Sequence, residues 1–159
     1  MSQTTNEVYQ GQVIQLVTFV LKGEVYGINV MQVQEVLRVS EIAPVPGAPS
    51  CVLGIINLRG NLVTVIDTRA RFGMSSKDID EASRIIVIES DTQIIGMVVD
   101  AVAEVVDLHE DQIDLAPHVV NEESSRYIQG VATQGDNMLI VLNMNRLLTD
   151  REWTEINTH

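Results

Sequence analysis

The chain has 159 residues, 45% of them apolar and 20% charged. That balance specifies one globular domain, or two small units sharing a core, and excludes a disordered chain. Twenty-two acidic side chains against ten basic ones give a net charge of -12, which repels phosphate backbones and anionic lipid and argues against binding nucleic acid or inserting into a membrane. No apolar run approaches the roughly eighteen residues a membrane span needs, and the polar start MSQTTNEVYQGQ lacks the basic and apolar regions of a secretory signal. A single cysteine, Cys51, cannot form an internal disulfide and fits a reducing cytoplasm.

Taken in order, Leu16 to Leu21 reads as a strand, Lys22-Gly23-Glu24 as a turn, and Val25 to Val30 as the returning strand of a hairpin. Val33, Val36 and Leu37 then follow Val30 at helical spacing and predict a short helical turn. Pro44, Pro46 and Pro49 force an irregular loop. Gly54 to Asn57 is extended, Arg59-Gly60-Asn61 is a turn, and Leu62 to Ile66 is a further strand, with Asp67 placed to cap a short helix ending near Phe72. Residues 74–83 form the most polar, linker-like stretch, after which Arg84 to Ser90 and Gln93 to Val99 restart the hairpin pattern. Val, Ile and Leu dominate over two Phe, three Tyr and one Trp, so the core is built from residues that favour strands.

The pattern occurs twice. At an offset of 69, Gly27, Val30, Val33, Glu35 and Val36 meet Gly96, Val99, Val102, Glu104 and Val105. At an offset of 76, Gly54-to-Asp67 aligns without a gap on Gly130-to-Asn143, and Asn61 and Val65 meet Asn137 and Val141. Small β-units of this size close into barrels to hide their edges and gain stability by sharing an apolar face. The expected fold is therefore all-β with two barrels: 12–73 as the first, 84–143 as the second, 74–83 as linker, 144–150 as a short C-terminal helix, and 1–11 and 151–159 as flexible tails.

Motifs for catalysis or metal binding are lacking. His109 and His118, placed in an acidic loop after a strand, do not have metal-ligand spacing, and no G-x-S-x-G or phosphate-cradling glycine loop occurs. Glu104, Asp107, Glu110, Asp111 and Asp114 read as a solvated acidic face, and Cys51 as a small, half-buried hydrophobe. No cofactor, metal or catalytic residue is expected. One position does stand out. Arg59 sits in a hairpin tip of a chain poor in positive charge, whereas the matching turn Gln134-Gly135-Asp136-Asn137 has no arginine. Arginine's rigid fork of donors suits carboxylates and protein interfaces.

With these residues in place, the chain resembles the CheW-like domain family from about Gln12 to about Asp150. The resemblance is carried by Tyr26-Gly27-Ile28 running into Val33-Gln34-Glu35-Val36, by Gly54-Ile55-Ile56-Asn57-Leu58-Arg59-Gly60, and by Val65-Ile66-Asp67. In the second half it rests on Gly96-Met97-Val98-Val99-Asp100, on Val102 to Val105, and on Gly135-Asp136-Asn137-Met138-Leu139-Ile140. It implies two intertwined, five-stranded, SH3-like barrels around a shared hydrophobic core, with a few short helices. It also implies a non-enzymatic cytoplasmic adaptor, monomeric alone, that joins the cytoplasmic tip of chemoreceptors to the CheW-like regulatory domain of the histidine kinase CheA within membrane-associated arrays. Carried over residue by residue, the receptor-facing groove would comprise Val33 and Glu35 in the helical turn, Gly54 on its strand and Arg59 at the tip. Structural roles compete for three of these: Val33 as core, Glu35 as an internal partner of Arg59, and Gly54 as relief of crowding. The alternatives are an adaptor for another kinase pathway, such as one controlling surface motility, a small-ligand carrier, and a hydrolase using His109 or His118 with the neighbouring acids.

Overall fold

The computed structural model describes residues 12–89, 94–114, 127–134 and 136–143. The expected tails, the C-terminal helix at 144–150, the turn at Asp91-Thr92 and His118 lie outside the described residues. Ten strands dominate: β1 Val13–Leu21, β2 Glu24–Asn29, β3 Val33–Arg38, β4 Val52–Leu58, β5 Asn61–Asp67, β6 Arg84–Glu89, β7 Ile94–Val99, β8 Ala101–His109, β9 Ile128–Gln134 and β10 Asn137–Leu142. One short helix, α1 (Thr68–Arg71), follows β5. The Asp67 carboxylate caps it as expected, accepting from the Ala70 amide at 3.4 Å.

The strands form two five-stranded sheets, sheet 1 in the order β8-β1-β2-β10-β9 and sheet 2 in the order β3-β6-β7-β5-β4. Exchanging each strand of the first repeat for its counterpart five strands later turns one order into the other. The registers repeat as well. The parallel pairs Thr64↔Ile95 and Ile140↔Tyr26 are related by the two offsets read from the sequence. The barrels, however, are not the consecutive segments 12–73 and 84–143. Each repeat lends its first two strands to one sheet and its last three to the other, so the units interlock.

Each sheet closes on itself through the chain that follows one edge strand. Ala43, beyond β3, exchanges two backbone hydrogen bonds with Ile55 of β4, at 2.9 and 2.8 Å. Asp114, beyond β8, does the same with Val131 of β9, at 2.8 and 2.9 Å. These ties leave each sheet little free edge to pair with another chain.

Closure also explains the near-continuous apolar runs of the inner strands, which are buried on both faces. On β6, Ile86 and Ile88 face the core shared by the sheets, while Ile85 and Val87 face the interior of sheet 2. On β1, Phe19 and Leu21 face the shared core and Leu16 faces the interior of sheet 1. Four aromatic rings run through the shared core, Phe19, Tyr26, Phe72 and Tyr127, with successive centroids 5.8, 6.1 and 5.9 Å apart. The interlock thus rests on well-ordered, directional packing as well as on apolar area.

The polar stretch 74–83 is organised by Asp80. Its carboxylate accepts from the Lys77 ammonium at 2.7 Å and from the amides of Ala82 and Ser83 at 2.9 and 3.2 Å. The Lys77 hydrogen bond first, and these amides with it, lower the Asp80 pKa to about 2. A depressed native pKa means stability that is complete above the unfolded value of about 3.9 and is lost as the pH falls through the native one. The Asp80 carboxyl carbon, followed by NMR, is expected to titrate near pH 2; a midpoint near 4 would contradict this turn geometry.

Candidate functional site

The hairpin β4–β5 presents Arg59 because its turn is the tight two-residue kind. Arg59 and Gly60 both have left-handed backbones, φ 52° and 90°, as hairpin turns matched to strand twist require. Asn57 holds the turn by accepting from the Gly60 amide at 2.7 Å. An arginine in this conformation carries a steric cost of about 1 kcal/mol that a glycine would avoid. Lys22 adopts the same φ in the β1–β2 turn, so the strain alone does not mark a site.

Glu35 lies on β3, opposite Val87 of β6, and its carboxylate receives a two-pronged ion pair from Arg59, one prong at 3.3 Å and the other shorter. The hydrogen bond from Arg59 lowers the Glu35 pKa against a smaller opposing effect of burial, and the same bond raises that of Arg59. The pair is unequal in exposure: the arginine side chain is 67% exposed and the glutamate 24%. Glu35 therefore steadies the arginine without covering it.

The expected helical turn holding Val33 and Glu35 is corrected to strand. Helical geometry between β2 and β3 is confined to one 3-10 turn, Val30–Gln32, whose Met31 amide donates to the Asn29 side chain at 2.9 Å. A bulge between Val33 and Glu35 breaks the alternation of β3. Before it, Val33 packs against the shared core; after it, Leu37 packs into sheet 2. The same irregularity recurs in sheet 1, where Val102 opposes Phe19 and Val105 opposes Val17. The bulge is thus part of the fold, while the arginine is present in one repeat only. Glu104, the repeat partner of Glu35, is exposed on β8, and the residue corresponding to Arg59 is Gly135.

Gly54 serves closure of the barrel. A side-chain carbon there would lie 2.1 Å from the Ala43 carbonyl oxygen, and its backbone has φ 152°. Gly130 repeats the arrangement, with the Asp114 carbonyl oxygen 2.5 Å from the corresponding point. Of the four residues read from sequence, then, Arg59 and Glu35 come together, while Val33 and Gly54 have evident duties in the fold.

Two exposed apolar side chains, one next in sequence to Glu35 and one in the Arg59 hairpin, are not read as site residues from the sequence. Leu62, opposite Asn57 across the hairpin, is 73% exposed, and Val36, beside Glu35, is 40% exposed. Their repeat partners Met138 and Val105 are exposed as well. In the sequence Leu62 reads as the first residue of an apolar strand; its exposure depends on register, because inward positions begin only at Val63.

His109 ends strand β8, not an acidic loop, and its amide donates to the Gln112 side chain at 2.8 Å. Glu104 and Asp107 are spread along the exposed side of that strand, while Glu110 and Asp111 occupy the 3-10 turn after it. Cys51 is half-buried against the shared core. Among the described residues, no cluster of three or more His, Cys, Asp or Glu side chains is placed to hold a metal ion, and no helix is long and apolar enough to cross a membrane.

Interlocked β-sheets with a braced, outward-facing arginine and exposed apolar neighbours define a β-scaffold that presents a side-chain surface. The CheW-like domain model matches residues 15–152, and the chain belongs to that family. It is 32% identical to the chemotaxis protein CheW of Treponema pallidum over 142 residues, 87% of this chain and 84% of that one. To CheW of Bacillus subtilis it is 31% identical over 148 residues, 93% of each. Its structure is similar to the crystal structure of the scaffolding protein TtCheW from Thermoanaerobacter tengcongensis, with a TM-score of 0.80 and 34% identity, covering 89% of this chain and 96% of that one. These likenesses support the broad class of chemotaxis adaptor.

Proposed function

We propose that the chain couples chemoreceptors to the histidine kinase CheA, binding the receptor's cytoplasmic tip and the kinase's CheW-like regulatory domain with no chemistry of its own. In this reading it works in the cytoplasm and is recruited to receptor arrays at the membrane. Membership of the CheW-like family supports it, and one observation carries the receptor side: the exposed Arg59, braced by Glu35, stands in a chain of net charge -12. An acidic side chain on a helical receptor hairpin can pair with the guanidinium while apolar residues of the same helix cover Leu62 and Val36. Glu35 keeps the guanidinium oriented beforehand, which lowers the ordering cost of binding.

Adding a soluble receptor-tip fragment to the isotopically labelled chain tests the surface. Amide shifts are expected at Glu35, Val36 and 57–62. Shifts confined to β8 and β9 of sheet 1 would place the receptor elsewhere.

A further inference from the structure

Among the described residues the chain crosses between the sheets twice, from β2 to β3 through Val30–Gln32 and from β7 to β8 through Asp100. The repeat offset of 69 makes Met31 and Asp100 equivalent, and the Asp100 crossing carries a charge cluster. The Asp100 carboxylate accepts from Arg69 Nε at 2.8 Å, from Arg69 Nη2 at 2.5 Å and from the Lys22 amide at 2.9 Å. The Asp100 amide in turn donates to the Val20 carbonyl at 3.1 Å. Arg69 stands on α1, directly after β5 of sheet 2, while Lys22 is the turn of the β1–β2 hairpin of sheet 1. One carboxylate therefore touches both sheets at the point where the chain passes between them. The Arg69 and Asp100 side chains are only 14% and 16% exposed. At the other crossing Met31 is 86% exposed, and the sequence has Asn145 at the position equivalent to Arg69.

Apolar burial across the shared core is largely non-directional apart from its aromatic contacts. A largely buried, bidentate charge pair is directional, and its desolvation cost offsets much of its attraction, so it adds more to geometric definition than to stability. We propose that Asp100, acting through Arg69 and the Lys22 amide, is the clasp that fixes the orientation of sheet 1 against sheet 2. Opening the clasp leaves each barrel folded but frees their mutual angle. The proposal concerns the fold itself and stands whether or not the receptor reading does.

Residual dipolar couplings of the full chain test it directly. In the unsubstituted protein, one alignment tensor is expected to fit the amides of both sheets, and Met31→Ala should leave this unchanged. In Asp100→Ala and Arg69→Gln the two sheets should need tensors of different magnitude or direction. The Lys22 amide should also exchange about tenfold faster in Asp100→Ala, having lost a charge-assisted bond, while Val65 and Leu139 amides keep their protection. A single tensor in folded variants overturns the proposal, as does exchange that accelerates uniformly in both sheets. If Asp100→Ala does not fold, Arg69→Gln, which keeps the Lys22 bond, decides; failure of both to fold overturns the proposal, since the pair would then hold the fold and not its orientation.

Discussion

Arg59→Glu is expected to abolish receptor binding while leaving the protein folded. The side chain is 67% exposed and projects from a turn whose backbone is held by Asn57, so the substitution removes no packing. It places a second carboxylate beside Glu35, in a chain already at -12, and turns an attraction for an acidic partner into repulsion. Reversing a central arginine of an interface typically costs about 2–4 kcal/mol, or on the order of a thirtyfold to a thousandfold loss in affinity. Co-sedimentation with receptor-bearing membranes measures the loss, and urea denaturation measures the fold. A stable variant that binds undiminished would remove Arg59 from the receptor site. An unfolded one would make the Glu35–Arg59 pair a structural brace.

Gly54→Ala is expected to act in the opposite way, through the fold. The new methyl group would sit 2.1 Å from the Ala43 carbonyl oxygen and 2.8 Å from the Ile42 side chain. Separating them breaks the two hydrogen bonds between Ala43 and Ile55 that close sheet 2. Overpacking costs about 1–3 kcal/mol, a left-handed backbone on a non-glycine residue a similar amount, and each lost bond about 1 kcal/mol. A total of about 4–8 kcal/mol is a large share of the roughly 5–15 kcal/mol that holds a domain together, and lowers Tm by roughly 10–25 °C. Loss of receptor binding in this variant would then follow loss of the barrel. Gly130→Ala is expected to strain sheet 1 through the clash alone and so to cost less, since Asp114 takes the part of Ala43 but Gly130 has no left-handed backbone. Denaturation within 1 kcal/mol of the parent would show that β4 can shift to make room.

Much of this architecture is legible in the residues. The hairpins, the Asp67 cap and the doubling of the pattern follow from apolar alternation and turn chemistry, and all appear in the structure at close to their expected positions. The helical reading of Val33, Val36 and Leu37 fails for a definite reason. A bulge inserts a residue into β3, so the apolar spacing passes from two to three and imitates a helix. The exchange of strands between barrels is hidden for a different reason. The two repeats present nearly the same faces, so swapped and unswapped pairings satisfy the same local pattern. What decides between them is the reach of the short crossings at Val30–Gln32 and Asp100. For the site, Arg59 is conspicuous as a charge out of character with the chain, and Glu35 is recognisable as its brace. Leu62 is not, because its exposure depends on strand register and on the curvature of a closed sheet.

Coupling of receptor to kinase is read out by kinase autophosphorylation. Receptor-bearing membranes and CheA from the same genome are mixed with and without this chain. Strong stimulation of phosphorylation, reversed by attractant and absent with folded Arg59→Glu, is the expected result. An unchanged rate, with folded protein and demonstrably active receptors and kinase, would contradict the coupling role.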